Sequence, residues 1–301
     1  AYGVCIDADG RVLLMRTSAR SVRPGTWYLP GGGIDQGEHP ADAVVREMAQ
    51  ETGLTVAISG LRDVAAEVVA RPSGLEHTDA VIYNVAVTGG TLRVSPDGFA
   101  DEIRWVPAEE LPTLTLSRFA AHALGLAPPT SEPQPPIEPA PARRNGPRQP
   151  VPRPRRGQRF GAYGVVTDPD DRVLLTLIAE GYPGAGRWHL PGGGTDFGEQ
   201  PADGLLREIT EESGQTGRIV GLLTVAHTHN PAALGPEGYP IDWHSVRAVF
   251  EVAVDHPTPP HVLDQGGSTA EAAWFTRAEA ATMSLTEVAA AMLTRSSQPR
   301  A

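Results

Sequence analysis

The sequence predicts two layered domains, each built from strands mixed with helices, joined by a linker rich in proline and arginine. The string "AYGVCIDADGRVLLMR" at Ala1 reappears as "AYGVVTDPDDRVLLTL" at Ala162, and this offset of 161 residues holds without a gap through Gly53. The segment between the copies is dense in Pro, a composition typical of extended spacers. The predicted segments are a first domain at 1–127, a linker at 128–157 and a second domain at 158–301.

Within each copy, the pattern predicts strand, turn, strand, glycine-rich loop, helix, two or three further strands and a final helix. The turn signal "DADG" separates the apolar runs Gly3–Ile6 and Val12–Met15. Later apolar runs at Val81–Val87 and Val246–Val254 predict strands that follow the central helix. The stretches "RFAAHALGL" and "TRAEAATMSLTEVAAAML" each predict one C-terminal helix. This mixture favours an α/β or α+β layered domain.

The central helix of each copy has clear start and stop signals. Pro40 and Pro201 stand where a first helical turn tolerates proline, and Gly53 and Gly214 stand where a helix would end. Apolar residues recur between them at helical spacing, which predicts a face turned to a core. These residues are Ala41, Val44, Val45 and Met48 in the first copy and Ala202, Leu205, Leu206 and Ile209 in the second.

Composition excludes several classes of protein. The formal net charge of −11 argues against a nucleic-acid-binding surface over the whole chain. No window approaches the roughly 18 apolar residues that a membrane span needs. Cys5 has no partner for a disulfide, which fits a reducing compartment, so we expect a cytoplasmic location.

Three carboxylates crowd one face of the second central helix. Glu208, Glu211 and Glu212 are spaced i, i+3 and i+4, so they repel one another unless a cation lies between them. Oxygen ligands at this density suit Mg²⁺ or Mn²⁺. Taken alone, the three acids are also compatible with an exposed acidic face.

This segment of each copy resembles the signature of the Nudix hydrolases, G-x5-E-x7-R-E-U-x-E-E-x-G-U, where U is an apolar residue. The second copy matches at Gly193, Glu199, Arg207, Glu208, Ile209, Glu211, Glu212 and Gly214. The first copy matches at Gly32, Glu38, Arg46, Glu47, Met48, Glu51, Gly53 and Leu54. The departures are Gln215 in the second copy and, in the first, Gln50 where the family has the first Glu of its E-E pair.

The resemblance implies α/β/α sandwich domains with mixed sheets and a metal-dependent hydrolase that cleaves a nucleoside diphosphate linked to a moiety X. It implies metal ligands at Glu199, Glu208, Glu211 and Glu212, and at Glu38, Glu47 and Glu51. It implies catalytic roles for Glu208, Glu211, Glu212, Arg207, Glu47 and Glu51. We expect substrate contacts at Gly192, Gly193, Gly194, Arg16, Gly32 and Gly33. One of the helix acids, or a later carboxylate such as Glu271 or Asp264, would activate the water.

The two copies depart from the family pattern in different ways. Gln50 keeps a carbonyl oxygen but lacks the charge, so we expect weaker metal binding in the first copy. That copy has Arg16, and in MutT-like members of the family an arginine after this strand contacts substrate phosphate. The second copy has Leu177 there, so Arg187 or a linker arginine would have to substitute. We therefore expect the main activity in the second domain.

Three hypotheses for the function follow. The first is a Mg²⁺- or Mn²⁺-dependent pyrophosphohydrolase acting on a nucleoside triphosphate or a related nucleotide. The second is a hydrolase of ADP-ribose or a nucleotide sugar. The third is a nucleotide-binding sensor whose first domain is catalytically impaired, which Gln50 favours. In each case the partner is a small nucleotide-type molecule rather than a nucleic acid or a membrane.

Overall fold

The computed structural model describes residues 1–127, 156–234, 240–264 and 266–296. Most of the predicted linker, residues 128–155, therefore lies outside the described residues. The elements of the first copy are β1 (Tyr2–Cys5), β2 (Val12–Thr17), β3 (Trp27–Tyr28), α1 (Pro40–Thr52), β4 (Leu54–Arg71), β5 (Gly74–Gly90), β6 (Ala100–Val106) and α2 (Arg118–Ala123).

The second copy repeats this order with additions. Its elements are β7 (Arg156–Thr167), β8 (Val173–Ile178), β9 (Trp188–His189), β10 (Gly192–Gly194), α3 (Pro201–Ser213), β11 (Arg218–Leu234), β12 (Pro240–Ala253), β13 (Thr269–Phe275), α4 (Arg277–Ala280) and α5 (Glu287–Ser296). The predicted order of strands and helices is thus present in both copies. In the described part of the chain, no helix combines the length and apolar character that crossing a membrane requires.

The strands of the first copy form two three-stranded sheets, one mixed and one antiparallel. Strand β1 lies parallel to β5, which pairs antiparallel with β4, and β2 lies between β3 and β6. Trp27 is 5% exposed and packs in a cluster with Leu14, Leu29 and Phe119. This cluster also includes Val4 of β1 and Ile82 of β5, so one core joins both sheets and α2.

The second copy has one larger sheet with the strand order β11-β12-β7-β8-β13. Strand β10 pairs with residues 161–163 of β7, so the glycine loop is fixed to the sheet before α3 begins. Trp188 is buried and packs with Leu175, Leu190 and Val249. These contacts hold the loop and the helix in a fixed relation.

The prediction of one continuous C-terminal helix in the second copy is wrong. Residues 276–293 instead contain α4 and α5 with an extended break between them. At the break, the Trp188 amide donates to the Ser284 carbonyl at 2.8 Å, and the Thr286 amide donates to the Trp188 carbonyl at 2.9 Å. The helix pattern is interrupted because this segment takes hydrogen bonds from strand β9.

The chain forms two compact units. The first comprises Ala1–Gln158 and His227–His244, and the second comprises Arg159–Ala226 and Ser245–Ala301. The segment His227–His244 includes the last part of β11 and the first part of β12. It belongs to the first unit although the rest of both strands belongs to the second. Helix α1 lies in the first unit and helix α3 in the second.

Candidate active site

Helix α3 presents the acids of the second copy. It begins at Pro201 and ends at Ser213, and the following Gly214 has a φ of 69°, the left-handed conformation that favours glycine. Leu205 and Ile209 are fully buried against the sheet. The polar face of the same helix carries Arg207, Glu208, Glu211 and Glu212.

Arg207 holds three of the acids in place. Its guanidinium donates to both carboxylate oxygens of Glu199, at 2.9 and 3.0 Å. It also donates to Glu208 at 3.2 Å and to Glu211 at 3.0 Å, and its Nη2 reaches the Gly194 carbonyl at 3.3 Å. These contacts raise the pKa of Arg207 above its ordinary value, with the Glu199 hydrogen bonds as the largest cause. One cation therefore offsets the mutual repulsion of the acids when no metal is bound.

Glu212 is held differently, by neutral donors. Its Oε2 accepts the Gly192 amide at 2.9 Å, and its Oε1 accepts the hydroxyl of Thr269. The side chain is buried, at 6% exposure. Burial raises the pKa of Glu212 to about 7. The two hydrogen bonds favour the ionised form and so act in the opposite direction, but burial is the larger effect.

The acids surround a small cavity of about 20 Å³. Its lining consists of Glu208, Glu211, Glu212, Val262, Asp264, Ser268 and Thr269. As the side chains stand, no group of three or more His, Cys, Asp and Glu residues among those described is arranged to hold a metal ion. Because Arg207 draws Glu208 and Glu211 toward itself, a cation would have to displace it. The donor set of carboxylate and hydroxyl oxygens fits a hard divalent cation.

The glycine loop, Gly192–Gly194, has no room for larger residues because other groups approach its backbone closely. Gly192 has a φ of 135°, and a methyl group there would overlap the carbonyl oxygen of Ala162. A methyl group on Gly193 would lie 2.6 Å from the carboxyl carbon of Glu208. A methyl group on Gly194 would lie 2.6 Å from a guanidinium nitrogen of Arg159.

The first copy reproduces the arginine clamp. Arg46 donates to both oxygens of Glu38, at 2.8 and 2.7 Å, and to Glu47 at 2.7 Å. It also donates to the amide oxygen of Gln50 at 3.2 Å and to the Gly33 carbonyl at 2.9 Å. Gln50 thus occupies the clamp position of Glu211 without carrying its charge.

Glu51 is the counterpart of Glu212. It accepts the Gly31 amide at 3.0 Å, and burial raises its pKa to about 7. Ala100, the first residue of β6, stands where Thr269 stands in β13, so no hydroxyl is available from this position. Gly32 leaves room for the neighbouring acid, since a methyl group there would lie 2.6 Å from Glu47 Oε2.

The position of Arg16 does not leave its guanidinium open. It forms ion pairs of 2.8 Å with both Asp101 and Glu102 on β6. A phosphate contact at Arg16 would therefore compete with these carboxylates. In the second copy, Leu177 pairs instead with Glu271 across β8 and β13.

The two later carboxylates, Asp264 and Glu271, differ in whether they line the cavity. Asp264 lines the cavity with the helix acids, and its amide donates to the Glu211 carbonyl at 3.1 Å. Glu271 is exposed and does not line that cavity. The geometry thus favours Asp264 over Glu271 as the later carboxylate of this site.

Comparison with protein families identifies this arrangement. The profile of the NUDIX domain matches residues 1–125 and 157–295, which together make up most of the chain. The chain belongs to the Nudix family. It is a tandem Nudix protein, and members of this family hydrolyse phosphoric anhydride bonds of nucleotides with divalent cations.

Several Nudix relatives carry names that indicate nucleotide substrates. An ADP-ribose pyrophosphatase of Methanocaldococcus jannaschii is 32% identical over 109 residues, covering 36% of this chain and 62% of the relative. An 8-oxo-dGDP phosphatase of Homo sapiens is 30% identical over 126 residues, covering 41% of this chain and 36% of the relative. The chain thus spans less than two thirds of the length of either protein.

Solved Nudix structures match half of the chain at a time. A MutT Nudix hydrolase of Burkholderia pseudomallei is 27% identical, with 46% of this chain and 97% of that chain covered and a TM-score of 0.37. The Nudix domain of NrtR from Shewanella oneidensis, solved with ADP ribose, is 20% identical. The match covers 47% of this chain and 87% of that chain, with a TM-score of 0.39.

Three residues of the second Nudix domain were given no role from the sequence. Thr269 contacts Glu212, Arg159 lies beside Gly194, and His189 follows Trp188 on β9. The repeat offered a signal for two of them, because an offset of 161 residues pairs His189 with Tyr28 and the later offset of 169 residues pairs Thr269 with Ala100. Positions that differ between two otherwise matching copies are where the two sites can differ in chemistry.

His189 should make the second Nudix domain sensitive to acid. Burial lowers its pKa to about 4, and the positive charges of Arg247 and Arg187 act in the same direction. The native state keeps His189 neutral, hydrogen-bonded to the Thr286 hydroxyl at 2.6 Å, while the unfolded state binds a proton below its ordinary pKa. The free energy of unfolding is therefore unaffected by His189 titration above about pH 6.5. It falls by roughly 3 kcal/mol as the pH is lowered to 4, because only the unfolded state binds the proton in this range.

The test compares the wild type with His189→Gln by urea unfolding in EDTA at several pH values. Between pH 7 and pH 4, the free energy of unfolding of the wild type should fall by about 3 kcal/mol more than that of His189→Gln, because Gln does not titrate. A difference that stays constant with pH would show that His189 is not held neutral in the native state.

Proposed function

We propose that the second domain is a Mg²⁺-dependent hydrolase that cleaves a phosphoric anhydride bond in a nucleoside diphosphate linked to X. The observation that supports it is the cavity bordered by Glu208, Glu211 and Glu212 beside the glycine loop. In the first domain, Gln50 takes one of these acid positions. The proposal therefore assigns the main activity to the second domain.

The metal ligands in this proposal are Glu208, Glu211 and Glu212, with Glu199 in support. The bound cation supplies charge neutralisation on the phosphate oxygens. Arg207 keeps the acids in position until the cation arrives, and Glu212 already has both oxygens directed by hydrogen bonds. In-line attack by water then needs positioning more than covalent help from the protein.

Two further side chains complete the proposed site. Arg159 is exposed and lies against Gly194. Burial raises the pKa of Glu208, and the positive charge of Arg159 acts in the opposite direction. We assign Arg159 to substrate phosphate, the role that Leu177 cannot perform. Asp264 lines the cavity and is assigned to accept the proton of the attacking water.

For the substrate, we propose a nucleoside triphosphate or a related nucleotide. ADP-ribose or a nucleotide sugar is the second candidate, favoured by the name of the relative from Methanocaldococcus jannaschii. We place the activity in the cytoplasm, where the lone thiol of Cys5 stays reduced. The first domain is proposed to bind nucleotide with little turnover, because Gln50 removes one negative charge from its metal site.

The decisive experiment measures phosphate and pyrophosphate release by the full chain from a panel of nucleoside triphosphates, ADP-ribose and nucleotide sugars. Each reaction is run with Mg²⁺, with Mn²⁺ and with EDTA. Hydrolysis of one class only with a divalent cation supports the proposal and names X. Nucleotide binding without hydrolysis under every condition would instead favour a sensor.

Asp264→Asn and Glu271→Gln form a matched pair of variants. Removing the carboxylate that accepts the proton should lower kcat by about a hundredfold, the low end of what general base catalysis contributes. Glu271→Gln should leave kcat within about twofold, because Glu271 lies outside the cavity lining. Steady-state kinetics with the best substrate of the panel measures both, and the reverse ranking would assign the role to Glu271.

A further inference from the structure

Glu212 differs from the other acids of its helix in what holds it. Arg207 contacts Glu199, Glu208 and Glu211, whereas the hydrogen bonds of Glu212 come from Gly192 and Thr269, one to each oxygen. Both donors are neutral, so the carboxylate is oriented without being neutralised. Arg207 therefore does not compete with a cation for Glu212, as it does for Glu208 and Glu211.

Thr269 reaches Glu212 because of an irregularity in its strand. On β13, Thr269 pairs with Ile178 and Glu271 pairs with Leu177, so Ala270 is an extra residue without a partner. A bulge of this kind bends a strand and redirects the adjacent side chain. Immediately before the bulge in β13, the Ala179 amide donates to the Ser268 carbonyl at 2.8 Å, and this hydrogen bond fixes the start of the strand.

The first domain has the same bulge but lacks the hydroxyl. On β6, Ala100 pairs with Thr17 and Glu102 pairs with Arg16, which leaves Asp101 as the extra residue. The backbone at Ala100 thus matches the backbone at Thr269, and only the side chain differs. Glu51 retains its backbone donor, the Gly31 amide. The first site therefore differs from the second in an orienting hydroxyl as well as in the charge lost at Gln50.

We propose that Thr269 is a positioning residue, which fixes the orientation of the Glu212 carboxylate toward the divalent cation. This inference rests on the proposed function of the second domain. Side chains that orient metal ligands commonly contribute 10- to 100-fold to metal affinity or activity, so we expect an effect of about that size. The first domain consequently lacks two contributions, one at Gln50 and one at Ala100.

The first test uses Thr269→Val, which keeps the shape without the hydroxyl, and Thr269→Ser, which keeps the hydroxyl. Mn²⁺ affinity of the full chain is measured by titration calorimetry, and kcat and KM are measured with the substrate of the panel. Thr269→Val should weaken Mn²⁺ binding and lower kcat by about 10- to 100-fold each, with KM for the nucleotide changed less than about twofold. Thr269→Ser should restore most of both values.

A merely structural role for Thr269 gives a different result. The melting temperature in EDTA would fall in Thr269→Val while Mn²⁺ affinity and kcat stayed at the wild-type level, and this outcome overturns the inference. If the wild type hydrolyses none of the nucleotides, the proposed function fails, but Mn²⁺ affinity still decides the role of Thr269. The two failures are thus distinguishable.

The second test adds the missing groups to the first domain. Gln50→Glu, Ala100→Thr and the double variant are made in a chain that also carries Glu212→Gln, which silences the second site. We expect the double variant to bind Mn²⁺ more tightly than Gln50→Glu alone, by about tenfold. Equal affinities for the double variant and Gln50→Glu would show that a hydroxyl at this strand position does not orient the ligand.

Discussion

Glu212→Gln is expected to lower the Mg²⁺-dependent turnover of the full chain by about three orders of magnitude, because metal-assisted charge stabilisation contributes several kcal/mol. The substitution removes an anionic oxygen from the cavity that Glu208 and Glu211 also line. It changes little else, since the amide can still accept the Gly192 hydrogen bond and the Thr269 hydroxyl can turn to accept from the amide nitrogen. Turnover at saturating substrate, measured against Mg²⁺ concentration, gives the effect.

The control for Glu212→Gln is its counterpart, Glu51→Gln, which should lower total turnover by less than about twofold if the second domain carries the main activity. Thermal melting in EDTA at pH 8 separates lost chemistry from lost folding. The raised pKa of Glu212 means that its stabilising contribution is lost as pH rises through about 7. The variant should therefore melt no lower than the wild type at pH 8. Near-normal turnover in Glu212→Gln together with inactive Glu51→Gln would move the active site to the first domain.

Gly192→Ala should destabilise the second domain by about 3 kcal/mol or more, combining an unfavourable backbone conformation with steric overlap. The φ of Gly192 is 135°, and the added methyl group would overlap the Ala162 carbonyl oxygen and lie 2.7 Å from the Tyr163 Cα. Both neighbours are backbone atoms of β7, so neither can move aside as a flexible side chain can. Urea unfolding in EDTA measures the loss.

Gly186→Ala is the matched control for Gly192→Ala. Gly186 also has a positive φ, of 78°, but a methyl group there would meet no atom within 4 Å. Its cost should be about 1 kcal/mol, that of the left-handed conformation alone. Equal losses in the two variants would mean that the close approach of the glycine loop to β7 adds nothing to the stability of the loop.

Local signals in the sequence were sufficient to predict the two central helices. Pro40 and Pro201 begin them, and Gly53 and Gly214 follow them with φ of 72° and 69°. These features depend on the backbone preferences of single residues, which the sequence displays directly. The repeated acid pattern in turn placed Glu208, Glu211 and Glu212 on one face.

Contacts between distant segments could not be predicted in the same way. Thr269 and Glu212 are 57 residues apart, and their hydrogen bond depends on the register of β13 and on its bulge. The break between α4 and α5 depends likewise on hydrogen bonds to Trp188. Periodicity describes one segment at a time, so it predicted an unbroken helix there and gave no role to Thr269.

The amide of Gln50 has a consequence for how a duplicated domain can change over time. Because Gln50 still accepts a hydrogen bond from Arg46, the first copy can drop a catalytic charge while its arginine clamp stays assembled. Selection for folding and selection for chemistry are thereby uncoupled at this position. On the proposed assignment, a copy released from catalysis by such a step would keep its fold and could acquire a separate role while the second copy carries the reaction.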